Sequence, residues 1–147
     1  MRVNHTGKVA VGLLVSTSLL IPTVAIADYY EDQINTLLMG TAEEVGLYEL
    51  VSGPYIGSVD ASSSTDITLN LRKGQDYTIL GVCDEDCDDL DLEIYNLAGN
   101  PVEADTLGDD YPIVRISPNR TGGYRLKVDM YSCSTSFCYY GIGVFRE

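Results

Sequence analysis

Three kinds of side chain are scarce in this chain of 147 residues: it has no tryptophan, one histidine and only nine lysines and arginines. The histidine, His5, lies in an N-terminal segment that we expect to be removed. The remaining chain therefore has no Ser-His or Cys-His pair for nucleophilic catalysis. The basic residues face 22 aspartates and glutamates, a formal net charge of −13. Because nucleic acids and anionic membranes repel such a chain, we expect neither as a partner.

Long apolar runs are also absent, except at the N-terminus. There a basic start is followed by the apolar stretch Val9–Leu20 and then by Ala25-Ile26-Ala27, the small-x-small pattern that signal peptidase reads. The stretch is shorter than the ~20 apolar residues of a membrane span, although a retained N-terminal anchor is the alternative. We predict a signal peptide over residues 1–27, cleavage before Asp28, and an exported protein that is periplasmic or secreted.

The four cysteines form two close pairs, Cys83 with Cys87 and Cys133 with Cys138. In an exported chain, four cysteines indicate two disulfides. Spacing favours pairing within each pair, and crossed pairing between the two loops is the alternative. Zinc bound by four thiolates is the other reading, but these spacings are not the usual ones for zinc.

A helical pattern occupies the start of the predicted mature chain. Apolar and small residues recur there at steps of three and four, which predicts one amphipathic helix from about residue 29 to 47. The members of this stripe are Ile34, Leu37, Leu38, Thr41, Val45 and Tyr48. We expect the stripe to pack on the rest of the domain or on a partner.

From Gly53 onward the apolar period changes from helical to two, as in half-buried strands. Apolar residues alternate with polar residues around 67–71, 90–94 and 124–130, and turn residues separate these runs. Short strands at such intervals predict a mainly β fold, an antiparallel jelly-roll-like β-sandwich preceded by one amphipathic α-helix. The expected organisation is a signal peptide over 1–27, a helix and linker over 28–52, and a sandwich domain over 53–147.

The densest charge lies between Asp84 and Glu93, where seven carboxylates occur without a lysine or arginine. Like charges so close together need solvent, a cation or protonation. The segment does not fit an EF-hand, because Asp89 stands where glycine is needed and Tyr95 where glutamate is needed. An irregular calcium site remains as a hypothesis, against a solvated acidic loop. Its ligands would be Asp84, Asp86, Asp88, Asp89 and Asp91.

Three segments, in order, resemble the strands of bacterial pre-peptidase C-terminal (PPC) domains: Leu69–Ile79, Asp89–Asn100 and Ile116–Val128. The resemblance covers most of residues 55–145 and implies a jelly-roll-like sandwich. It also implies a non-catalytic domain, of a kind that in some relatives binds calcium or an extracellular matrix polymer. This chain departs from the family by lacking an attached protease, carrying a helix in front and containing four cysteines.

Eleven tyrosines make a ligand surface a further hypothesis, because tyrosine has an apolar ring and a polar tip. Tyr131, Tyr139 and Tyr140 cluster near the second cysteine pair and are the candidates, although strands favour aromatics in any case. We therefore expect a non-catalytic binding module for an extracellular polymer or protein. The alternatives are a structural subunit of an exported assembly and an unrecognised hydrolase that uses two carboxylates.

Overall fold

The computed structural model describes the backbone of residues 24–146 and the side chains of residues 29–146. Most of the predicted signal peptide, residues 1–23, lies outside the described residues. One helix precedes eight strands, and no helix in the described part is long and apolar enough to cross a membrane. The elements are α1 (Val24–Glu44), β1 (Glu49–Asp60), β2 (Ser63–Leu71), β3 (Tyr77–Cys83), β4 (Cys87–Asn96), β5 (Pro101–Asp105), β6 (Ile113–Ile116), β7 (Gly122–Cys133) and β8 (Phe137–Arg146).

The strands form two four-stranded sheets, which we call the helix-side sheet (β1-β8-β3-β6) and the outer sheet (β2-β7-β4-β5). All paired strands are antiparallel. This strand order is that of an eight-stranded jelly roll built from two Greek keys. The predicted fold class is confirmed. The first strand begins at Glu49, within the segment predicted as a linker.

The core between the sheets follows the alternation read from the sequence. In β4, Leu90, Leu92 and Ile94 are fully buried, while the intervening acidic residues face outward. In β7, Leu126 and Val128 meet them from the neighbouring strand. Each such leucine or isoleucine stabilises the fold by about 1.5–3 kcal/mol relative to an exposed position.

The helix covers the other face of the helix-side sheet, so that this sheet is buried on both sides. All seven residues of β3 are buried, which explains why this strand is apolar on both faces apart from Thr78. Ile34 and Leu38 of α1 pack in a second apolar cluster with Leu80, Val82 and Phe145. The helix is therefore an integral third layer of the fold.

Close approach of α1 to β8 depends on a glycine. A Cβ placed on Gly141 would lie 2.5 Å from Cγ2 of Ile34 and 3.4 Å from Cγ2 of Val82. Only a residue without a side chain lets the helix lie so close to the sheet. Gly141 therefore allows Ile34 of α1 to pack directly against β8.

The helix boundaries and the buried stripe differ from the prediction. The helix ends at Glu44, because Gly46 takes a positive φ of 82° and forms a Schellman motif. The amide of Leu47 donates to Ala42 O, and that of Gly46 donates to Glu43 O. Ile34, Leu38 and Ala42 are buried, whereas the predicted Leu37, Val45 and Tyr48 are at least 42% exposed. The buried positions 34, 38 and 42 recur at steps of four. The side of α1 that carries small Ala42 faces the sheet, and the side that carries Leu37 does not.

Candidate functional site

Acidic residues are concentrated at one end of the sandwich. Hydrogen bonds between neighbouring loops place four connections there: 61–62, 84–86, 106–112 and 134–136. Together these connections contain five carboxylates and no lysine or arginine. The basic residues Arg72, Lys73 and Arg120 lie in connections at the opposite end. The molecule is therefore electrically polarised, and we call its two ends the acidic end and the basic end.

Both disulfides lie at the acidic end, and their pairing is the local one predicted. Cys83 is bonded to Cys87 and Cys133 to Cys138. Each bridge closes a short loop, and Cys87 and Cys133 are neighbours across β4 and β7. Cross-linking on both sides reduces the freedom of these loops.

The two disulfide-closed loops are also bonded to each other. The amide and the hydroxyl of Ser134 both donate to the carbonyl oxygen of Asp86, at 2.8 and 2.9 Å. The acidic loop 84–86 is thus held by a disulfide and by its neighbouring hairpin. Its carboxylates project from a constrained backbone.

Tyr139 on β8 connects this acidic loop to the helix. Its backbone amide donates to Oδ2 of Asp84 at 2.8 Å, and its carbonyl oxygen accepts from the Asp84 amide at 3.1 Å. Its ring stacks on Tyr30 of α1, with centroids 4.7 Å apart and ring planes at 9°. Tyr29 and Phe137 extend this stack by edge-to-face contacts at 5.7 Å. We call Tyr29, Tyr30, Tyr139 and Phe137 the aromatic row.

A groove of about 240 Å³ lies between α1 and the acidic loop. Its helix side is formed by Tyr30, Gln33, Ile34 and Leu37, and its loop side by residues 84–86. We call it the helix–loop groove. It combines an aromatic ring, two aliphatic side chains and three carboxylates. A shallower surface continues from Gln33 and Leu37 along the exposed side of the helix.

The electrostatics of the groove favour a positive charge. The pKa of Asp84 is raised from its ordinary value, first because burial penalises the charged form and then because Asp86 and Glu85 repel it. Hydrogen bonds from the backbone of Tyr139 and Asp86 oppose this rise. Oδ1 of Asp84 is buried and lacks a hydrogen-bond partner. An added cation at the groove would relieve this repulsion.

The five aspartates predicted to bind calcium do not come together. Asp84 and Asp86 lie beside the helix, Asp88 is exposed, and Asp89 and Asp91 face outward from β4 in the outer sheet. Within residues 24–146, no three histidine, cysteine, aspartate or glutamate side chains are grouped so that they could hold a metal ion. Calcium binding by these aspartates stays a prediction.

Asp89 and Asp91 nevertheless repel their neighbours strongly. The pKa of Asp91 is raised from 3.8 to about 6, mainly by burial and then by Asp89, Asp129 and Glu93. The pKa of Asp89 is raised by burial and by Asp109. Asp109 belongs to the connection 106–112, so its effect on Asp89 means that this connection lies close to the start of β4.

The basic residues of the outer sheet surface are paired with acidic ones. Lys127 contacts Glu93 at 3.0 Å and Asp129 at 2.6 Å. Arg125 contacts Asp66 at 2.9 Å and lies 4.1 Å from the ring centroid of Tyr95. Both basic residues of this surface therefore have acidic partners.

The three tyrosines predicted as one binding surface are separated. Tyr131 is 66% exposed on the outer sheet, Tyr139 faces α1, and Tyr140 is buried between the sheets. Alternation along β8 places Tyr139 and Tyr140 on opposite faces. Of the three, only Tyr139 belongs to the aromatic row.

Sequence reasoning missed Tyr30, Gln33 and Phe137. The available signal was the Tyr29-Tyr30 pair, which lies off the apolar stripe immediately after the predicted cleavage point. Neither the protein-family models nor the curated protein sequences compared with this chain give a match. The resemblance to PPC domains therefore stays a prediction from the three motifs.

Proposed function

We propose that this protein is an exported, non-catalytic binding module that recognises an extracellular protein or polymer through the helix–loop groove and the aromatic row. The observation that carries the proposal is the stack of Tyr30 on Tyr139 beside a constrained acidic loop. Aromatic rings held in a fixed orientation contribute large contact areas at little cost in conformational entropy.

The size of the groove supports a macromolecular ligand. Its volume of about 240 Å³ is below the roughly 300–1,000 Å³ typical of small-molecule sites. A groove of this size accommodates a side chain or a single sugar unit of a larger partner. The aromatic row and the exposed Leu37 then extend the contact area beyond the groove.

Export is supported by the signal-like N-terminus and by the two disulfides, which persist in oxidising compartments. We expect the exported protein to begin at Asp28, which leaves Tyr29 and Tyr30 next to the new N-terminus. N-terminal sequencing of protein from the extracytoplasmic fraction tests this. A sequence that begins before residue 20 would contradict it.

Binding is tested with purified protein against a panel of polysaccharides and extracellular matrix proteins, read by biolayer interferometry. Tyr30→Ala should weaken binding of the recognised ligand by about tenfold, because it removes the stacked ring. Tyr131→Ala removes an exposed tyrosine from the outer sheet, away from the groove, and is the control. Equal effects of the two substitutions would contradict a site at the groove.

A further inference from the structure

We infer that the helix–loop groove binds a lysine or arginine side chain from a basic segment of a protein partner. This inference rests on the proposed function and names its ligand class. The groove combines an aromatic ring, an aliphatic floor and a carboxylate rim, and each part matches a part of a long basic side chain.

The aliphatic floor is formed mainly by Leu37 of α1, because Ile34 also lines the groove but is only 2% exposed. Lysine and arginine bury their methylene stems against apolar surfaces while the charged head stays near water. Leu37 is 43% exposed, so it offers such a surface to a ligand that lies along the helix. A purely apolar side chain would contact the aliphatic floor but not the carboxylates, and a short polar one would do the reverse.

The aromatic ring that lines the groove is that of Tyr30. A cation over an aromatic ring is attracted by the negative face of the π system. One face of Tyr30 is occupied by Tyr139, and Tyr30 also lines the groove. The stack fixes the orientation of the ring before any ligand arrives.

The carboxylate rim consists of Asp84, Glu85 and Asp86. Asp84 is engaged with the backbone of Tyr139, so Glu85 and Asp86, which are exposed, are the groups available to a ligand. The neighbouring helix α1 has no lysine or arginine, and neither have the four connections of the acidic end. A ligand cation therefore meets no basic residue in these elements.

Charge complementarity selects a basic protein segment over the other occupants. An acidic polymer is repelled by the rim. A neutral polysaccharide would pack on the aromatic row and donate hydroxyl hydrogen bonds to the carboxylates, but it would leave their charge uncompensated. A second copy would have to present its basic end against the self-repulsion of two chains that each carry a formal charge of −13.

The test is a fluorescence anisotropy titration with a short labelled peptide in which lysine alternates with leucine. The same peptide with glutamate in place of lysine is the ligand control. We expect the lysine peptide to bind and the glutamate peptide not to bind. High salt should weaken binding by at least about threefold, because exposed ionic contacts are screened.

Two substitutions locate the site. Glu85→Gln with Asp86→Asn should weaken peptide binding about fivefold, and both side chains keep their size. The backbone carbonyl of Asp86, which accepts from Ser134, is unchanged. The matched control is Glu43→Gln with Glu44→Gln, which removes the same charge from the C-terminal end of α1 and should leave binding unchanged. Unchanged circular dichroism and melting would show that the fold is intact.

Several outcomes would overturn the inference. Equal weakening by both double substitutions would show a nonspecific charge effect. Binding of a chitosan oligomer without binding of the peptide would assign the groove to an amino-polysaccharide. Self-association that is lost in the Glu85→Gln, Asp86→Asn variant, measured by sedimentation, would assign it to a second copy. In the latter two cases the groove is still the site and the proposed function stands. Ligand binding that is insensitive to Tyr30→Ala would instead refute the proposed function.

Discussion

Asp91 provides a sharp test of the electrostatics at the acidic end. Its carboxyl lies on the outer sheet beside Asp89, opposite Asp129, and has a folded-state pKa of about 6 against an ordinary value of 3.8. A raised pKa means that the folded protein binds the proton more tightly than the unfolded chain does. The stabilisation from protonated Asp91 is therefore complete below pH ~4 and is lost as pH rises through about 6.

The magnitude follows from the same pKa values. Each pH unit by which a pKa rises corresponds to ~1.4 kcal/mol, so the full rise corresponds to ~3 kcal/mol. The side chain is only partly buried, and solvent screens part of the repulsion. We therefore expect Asp91→Asn to stabilise the protein at pH 7 by about 1–2 kcal/mol, or roughly 4–8 °C in melting temperature.

The assay is urea or thermal unfolding of wild type and Asp91→Asn between pH 4 and 8. At pH 4 the two proteins should be nearly equally stable, and the gap should open as pH rises through 6. Asp88→Asn removes the same charge from an exposed position on the same strand and serves as the control. Parallel pH profiles for wild type and Asp91→Asn would refute the reasoning.

Three further predictions concern the core, the disulfides and calcium. Cys83→Ser with Cys87→Ser should cost about 2 kcal/mol, since the bridge closes a short loop, and denaturant unfolding measures this cost; an unchanged midpoint would contradict it. Gly141→Ala should lower the free energy of unfolding by about 1–3 kcal/mol, because the added methyl group would lie 2.5 Å from Ile34. A melting temperature equal to that of wild type would contradict this, because it would show that the helix shifts without cost. Calcium at a hundredfold excess over its Kd should raise stability by ~2.7 kcal/mol; a melting curve unmoved by millimolar calcium or by chelator would leave only a solvated acidic loop.

The strands were predictable from sequence because a sheet with one covered face imposes a period of two. Leu90, Leu92 and Ile94 alternate with outward acids and are buried as that pattern indicates. The local disulfide pairing was also predictable, because cysteines four and five residues apart lie on either side of tight connections.

The helix face and the groove were not predictable in the same way. Which stripe of α1 is buried depends on its docking over Gly141, a contact between segments far apart in the chain. The same is true of the Tyr30–Tyr139 stack. The separation of Tyr139 from Tyr140 follows from strand alternation alone, so grouping them on one surface overlooked a signal that the sequence contained.

The central claim, that the helix–loop groove is the binding site, is tested most directly by an NMR titration of isotope-labelled protein. The ligand is the tightest binder found among the extracellular proteins, polysaccharides and the lysine–leucine peptide. We predict that the largest amide shift changes occur at Tyr30, Tyr139 and loop residues 84–86. Changes confined to the outer sheet around Lys127 and Tyr131 would contradict the account.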